Sequence, residues 1–190
     1  IPQTNIKRML AYSSIGQAGY IITGILALNV AGVTALSFYS LVYVLATIAA
    51  FVVVMTFSAQ TGSDEIKDYA GLSQRSPFMA AVLTISMLSM AGIPPLAGFA
   101  GKLYLFKSIV AQGYLWLVIL GLVMSMVSVY YYLLVAKVMY LSEPLDNTSI
   151  KVPPGAKFTL LLTMIALLIF GVYPQPISVL ANLAGSALLP

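Results

Sequence analysis

One lysine, Lys102, lies inside a long apolar run, just downstream of Gly92, Pro94, Pro95, Gly98 and Gly101. Residues 78–110 would make a straight helix of roughly 50 Å at 1.5 Å per residue, against a hydrocarbon core of about 30 Å. The glycines and prolines predict two half-helices joined by an unwound segment. Lipid offers no water to an unpaired backbone group, so a helix broken at membrane depth must be buried in protein or line a wet cavity. Lys102 falls about eight residues, or 12 Å, before the end of the run. An ionisable residue at that depth marks an ion or proton pathway. An amine out of water gives up its proton more readily than one in water, which suits a proton relay. The plainer reading is an anchor that snorkels to the far interface, aided by Tyr104.

Polar residues recur at helical spacing in the other apolar runs. They are Ser13, Gln17 and Tyr20; Ser40, Tyr43 and Thr47; Ser86 and Ser89; and Ser125, Ser128 and Tyr132. Each set fits one helix face. They are candidates for a hydrated path converging on Lys102, or else ordinary interhelical packing through small and hydroxyl side chains. Gln17 stands out because its amide both donates and accepts. Tyr104 and Lys137 complete the proton-path candidates, although Lys137, near a helix end, also fits interfacial snorkelling.

These residues need a membrane to sit in. Of the 190 residues 61% are hydrophobic and 7% charged, against roughly 25% charged in a soluble domain. The predicted class is all-α membrane protein with five transmembrane helices, over about residues 9–30, 34–58, 78–110 (the third, broken near Gly92–Pro95), 114–141 and 157–172. Residues 177–189 are predicted as a helix lying on the membrane surface. Ser76-Pro77 reads as an N-cap and N1 pair opening the third span. Placing the N-terminus in the cytoplasm and the C-terminus outside puts Lys7, Arg8, Lys67, Arg75, Lys137, Lys151 and Lys157 on the cytoplasmic side. Only Lys107 falls near the other, as the positive-inside rule requires. The chain starts at Ile1 without a signal-peptide pattern. It reads as one transmembrane region, 1–190, from the C-terminal part of a longer polypeptide.

There is no Cys and no His. That removes disulfides, iron–sulfur clusters, thiolate metal sites and the usual neutral-pH proton carrier. With five carboxylates, all in polar stretches, proton chemistry at depth falls to lysine. No metal or cofactor site is expected. A soluble enzyme or nucleic-acid binder is excluded by composition.

Three stretches carry a family resemblance. Lys7-Arg8-Met9-Leu10-Ala11-Tyr12-Ser13-Ser14-Ile15, Asp68-Tyr69-Ala70-Gly71-Leu72 and Leu88 to Tyr104, ending Gly101-Lys102-Leu103-Tyr104, resemble the antiporter-like membrane subunits of proton-pumping NADH:quinone oxidoreductase (respiratory complex I). Tyr130-Tyr131-Tyr132-Leu133 resembles the span that follows. Mrp-type cation/proton antiporter and membrane-bound hydrogenase subunits are related. The resemblance implies an inverted-repeat antiporter-like fold with a broken helix in each repeat. It maps the central lysine of the second broken helix onto Lys102, and places the first repeat's glutamate–lysine pair upstream.

The function so implied is proton translocation through a buried lysine, driven by redox chemistry elsewhere. NADH, FMN, Fe–S clusters and quinone are then expected in partner subunits, membrane and peripheral, and the setting is a bacterial inner membrane. The alternatives are a Mrp-type sodium/proton antiporter or membrane-bound hydrogenase subunit, or a helical scaffold whose kink only shapes packing.

Overall fold

The computed structural model describes residues 3–27, 29–146 and 148–188. Residue 28 of the predicted first span and residue 189 of the predicted last helix lie outside them.

The chain is a bundle of helices. Asn5 opens α1 (Ile6–Thr23), its side chain accepting from the Arg8 amide at 3.0 Å. This cap starts the helix three residues before the predicted 9. At Gly24 the hydrogen bonding tightens toward the i−3 pattern, and a 3-10 turn, Gly24–Ala27, ends the first span short of 30. Asn29 caps α2 (Val30–Thr61) in the same way, accepting from Gly32 N–H at 2.9 Å. α2 ends at Gly62, whose left-handed backbone turns its N–H onto Ser58 O.

A 3-10 turn (Ile66–Tyr69) and the short α3 (Leu72–Arg75) follow, neither apparent from periodicity. Pro77 is the first residue of α4 (Pro77–Ala91), but the Ser76 side chain makes no capping bond. The long third run is two helices, α4 and α5 (Ala97–Val110), joined through Gly92 to Leu96. Next come α6 (Leu115–Leu141), α7 (Pro154–Val172) and α8 (Gln175–Leu188). α7 begins three residues before the predicted 157, with Pro154 at its N-terminus.

α2 is the hub, packing against α1, α4, α5, α7 and α8. Its inner face, Ala46, Ala49, Ala50, Val53, Val54 and Phe57, is almost fully buried against Met79, Leu83 and Met87 of α4. α6 lies on α4 and α5 and exposes Leu122, Met126 and Tyr130 on its outer side. α8 rests its Ile177, Ala181 and Gly185 face on the bundle, Gly185 lying against Val30 and Thr34 at the start of α2.

Among the described residues three helices, α2, α6 and α7, are by themselves long and apolar enough to cross a membrane, and α4 is a shorter apolar helix. The other two predicted spans do not meet that measure as single helices. α1 has 18 residues, opens on Lys7 and Arg8 and is rich in glycine and serine. The third run is divided between two helices of 15 and 14 residues.

Two close contacts tie connecting segments to the bundle. At one, a Cβ on Gly171 of α7 would fall on the backbone of Pro95 and Leu96. At the other, Lys7 Nζ pairs with Asp64 at 2.8 Å. Around that pair, Ile6 N–H donates to Asp64 O (2.8 Å) and Ile66 N–H to Thr4 O (2.7 Å). Gly171→Ala is expected to push α7 off the break at a cost of about 1–3 kcal/mol, seen as a lower thermal midpoint; an unchanged midpoint would contradict the close approach. The Lys7 ammonium holds the Asp64 carboxyl below its usual range. A depressed carboxyl stabilises above its unfolded pKa, and that contribution is lost as pH falls through the folded value. Amide protection at Ile6 and Ile66 is therefore expected to drop below about pH 4. Exchange measured by mass spectrometry, corrected for the intrinsic rate, checks this; constant protection counts against it.

Candidate functional site

An α-helix leaves its last four carbonyls without intrahelical partners. In α4 these belong to Leu88, Ser89, Met90 and Ala91. Gly92 takes φ +87°, a left-handed conformation that costs glycine little and other residues more. Its N–H donates to Ser89 O at 2.9 Å and also approaches Leu88 O at 3.1 Å; Ile93 N–H donates to Leu88 O at 3.1 Å. This is a Schellman ending. It leaves the carbonyls of Met90 and Ala91 to side chains.

Lys102 takes one of them. Its Nζ donates to Ala91 O at 3.0 Å and to Ser125 Oγ at 2.7 Å, while Ser125 Oγ donates to Ala91 O at 2.8 Å. Lys102 is only 4% exposed, which disfavours the alternative of an anchor snorkelling to the interface. It folds back from the second turn of α5 to the end of α4. Gly92 makes room for the stem, since a Cβ there would stand 2.9 Å from Lys102 Cδ. The Tyr20 ring covers the amine, its centroid 4.4 Å from Nζ. No carboxylate is nearby in the sequence: all five lie between 64 and 68 or 143 and 146. The counter-charge is the negative end of α4. A cation there gains up to about 2 kcal/mol when partly buried.

Gln17 takes the other carbonyl, donating from Nε2 to Met90 O at 3.0 Å and accepting from the Tyr39 hydroxyl. Ser13 hydrogen-bonds to Tyr132, whose hydroxyl also lies 3.8 Å from Met90 Sδ. Ser13, Gln17, Tyr20 and Tyr132 are thus gathered round the last turn of α4. Tyr43 is half-buried beside Tyr39, Met90 and Gly98. Two candidates stand apart. Tyr104 sets its ring edge against Phe38 (5.1 Å) and lines a cavity of about 620 Å³ with Lys107. Lys137 is exposed on α6. Ser86 and Ser128 bond back to carbonyls of their own helices.

The break residues divide the remaining work. Gly98 N–H donates to Ser89 Oγ at 3.1 Å, and a Cβ on Gly98 would overlap the Ser89 carbonyl. Gly101 lets α5 close on Tyr39, which a Cβ would meet at 2.6 Å. Pro94 and Pro95 are exposed in the connecting turn.

Residues 1–128 match the family described as NADH:quinone oxidoreductase/Mrp antiporter, TM. The chain belongs to that family. It is 58% identical over 189 residues to the NADH-quinone oxidoreductase subunit N of Desulforamulus reducens, covering 100% of this chain and 40% of the relative. Among solved structures it is similar to a chain of respiratory complex I from Thermus thermophilus with bound aureothin, with a TM-score of 0.80 and 35% identity over 93% of this chain and 40% of that one. A chain of the Mrp complex from Dietzia sp. shares the fold at a TM-score of 0.88 and 23% identity, over 98% of this chain and 43% of that one. The chain spans about 40% of the length of the curated relatives it matches. Within the NADH:quinone oxidoreductase/Mrp antiporter family it is an all-α, multi-pass membrane protein with the antiporter-like fold.

For this family member, sequence reasoning missed Tyr39 and the backbone acceptors of Met90 and Ala91. Tyr39 lies four residues before Tyr43, a helical spacing that puts it beside the Ser40/Tyr43/Thr47 set. No sequence signal announces a free carbonyl. Gly92→Ala is expected to lower stability by about 1–2 kcal/mol for the left-handed backbone alone, and to displace the Lys102 stem. The melting midpoint of the purified protein is the check, and a variant as stable as the parent would rule out the cradle.

Proposed function

We propose that this chain is part of a proton-translocating membrane subunit of an NADH:quinone oxidoreductase, with Lys102 as its proton relay. The observation that carries the reading is a buried amine held at the open end of an interrupted helix by Ala91 O and Ser125 Oγ. The Desulforamulus relative, an NADH-quinone oxidoreductase subunit N, supports the enzyme assignment. The chain is read as the C-terminal part of a longer polypeptide forming one transmembrane region. α1, α2, the α4–α5 pair, α6 and α7 act as five spans in a bacterial inner membrane. α8 lies at the surface, with the N-terminal end of the fragment cytoplasmic and its C-terminal end outside. NADH, FMN, Fe–S clusters and quinone belong to partner subunits, which drive the relay.

The chemistry follows from the donors and acceptors. A charged amine donates to Ala91 O and to Ser125 Oγ, and the serine hydroxyl then donates to Ala91 O. A neutral amine has a lone pair. The Ser125 hydroxyl, which is both donor and acceptor, can rotate to donate to that nitrogen. Both protonation states of Lys102 therefore find partners without movement of a helix. Ser13, Gln17, Tyr39 and Tyr132 extend the polar cluster on the α1 side and form the best candidate path. Tyr20 covers the amine, Tyr43 lies beside the path, and Tyr104 and Lys137 would serve only its outer reaches.

Lys102→Ala in the assembled complex is expected to reduce NADH-driven proton uptake by inverted membrane vesicles to the uncoupled background. Lys102→Arg should fare little better, because a guanidinium does not release its proton. Full pumping by either variant would overturn the relay. Sodium-dependent uptake without NADH oxidation would point instead to an antiporter of the Mrp kind, whose fold this chain shares.

A further inference from the structure

An ammonium has three N–H donors, and among the described residues two oxygens accept from Lys102, Ala91 O and Ser125 Oγ. The Tyr20 ring stands where a third partner is needed, 4.4 Å from Nζ. The ring is held in place from three sides. Its hydroxyl donates to Gly121 O of α6 at 2.9 Å. Tyr39 and Phe106 pack against it edge-to-face, at centroid distances of 6.4 and 6.1 Å and interplanar angles of 79° and 66°. It also lines a groove of about 370 Å³ between α1, α5 and α6 that Lys102 itself does not line.

We infer that the Tyr20 ring is a positioning surface for the charged form of Lys102, acting through its π face as the third partner of the ammonium and as the partition between the amine and that groove. This rests on the relay reading of Lys102 and adds a residue to it. An aromatic face attracts a cation through its quadrupole, and the attraction is stronger where both are desolvated. It also offers nothing to a neutral amine's lone pair. The ring therefore discriminates between the two protonation states, whereas Ser125, with donor and acceptor in one group, serves both.

The test separates the π face from the shape of the ring. In the whole complex, Tyr20 is replaced by Phe and then by mono-, di- and trifluorinated phenylalanines, with Lys102→Ala as a parallel control. The rings fill nearly the same space, while each fluorine weakens the quadrupole. Proton uptake by inverted vesicles is read per assembled complex, quantified on native gels. Tyr20→Phe is expected to retain most of the pumping, with a stepwise fall across the fluorine series of about tenfold in all. A flat series would show the ring to be packing only and would overturn the inference while leaving the relay intact. Loss of pumping already at Tyr20→Phe would move the role to the hydroxyl and equally overturn it. Pumping that survives Lys102→Ala would remove the relay reading, and this inference with it.

Discussion

The broken helix survives in lipid because every carbonyl it frees is met by a donor. Leu88 and Ser89 are closed by the Gly92 turn, Met90 by Gln17, and Ala91 by Lys102 and Ser125. An unpaired buried carbonyl costs about 1–3 kcal/mol. The requirement runs both ways, because a buried ammonium without acceptors is costlier still. The lysine and the break therefore stabilise one another, and neither is an isolated oddity of the sequence. A group suited to carry a proton is also a structural cap, which ties any change in its protonation to the end of α4.

The rest of the bundle is arranged to bring those donors together. α1 supplies Ser13, Gln17 and Tyr20 on one face; α2 supplies Tyr39; α6 supplies Ser125 and Tyr132. Such convergence needs backbones closer than ordinary side chains allow. Gly171 lets α7 reach the connecting turn, and Gly98 lets α5 close on Ser89. Membrane helices lack a hydrophobic drive to associate, so small residues and interhelical hydrogen bonds carry more of the packing. Much of the glycine and serine here serves that end as well as the site.

How far the sequence discloses all this depends on the kind of interaction. Lys102 and the glycine–proline cluster are conspicuous because they violate what a long apolar helix should contain. The inward face of α1 is equally visible, since Ser13, Gln17 and Tyr20 repeat at helical spacing. Tyr39 was overlooked because tyrosine is common in apolar runs, and its role appears only when Gln17 comes within reach from another helix. The fold of the lysine back onto Ala91, instead of outward to the interface, was likewise hidden. It depends on a backbone acceptor and on the space over Gly92, neither of which has a side chain to read. The early starts of α1 and α2 are set by single capping residues, Asn5 and Asn29, that hydropathy smooths over.

Among the described residues no carboxylate lies beside Lys102, and this has a physical consequence. Two unit charges a few ångströms apart in a poorly polarisable interior attract strongly, and a lysine–carboxylate pair would hold its proton through that attraction. A helix end carries only about half a charge, spread over several carbonyls, and an aromatic face carries no net charge at all. Such partners orient an ammonium and compensate part of its desolvation, yet leave the balance between charged and neutral forms shallow. A small change in nearby charge then tips it. A salt-bridged lysine would need its carboxylate withdrawn first. On the proposal that Lys102 relays a proton, the helix end and the tyrosine ring make a holder that can release it.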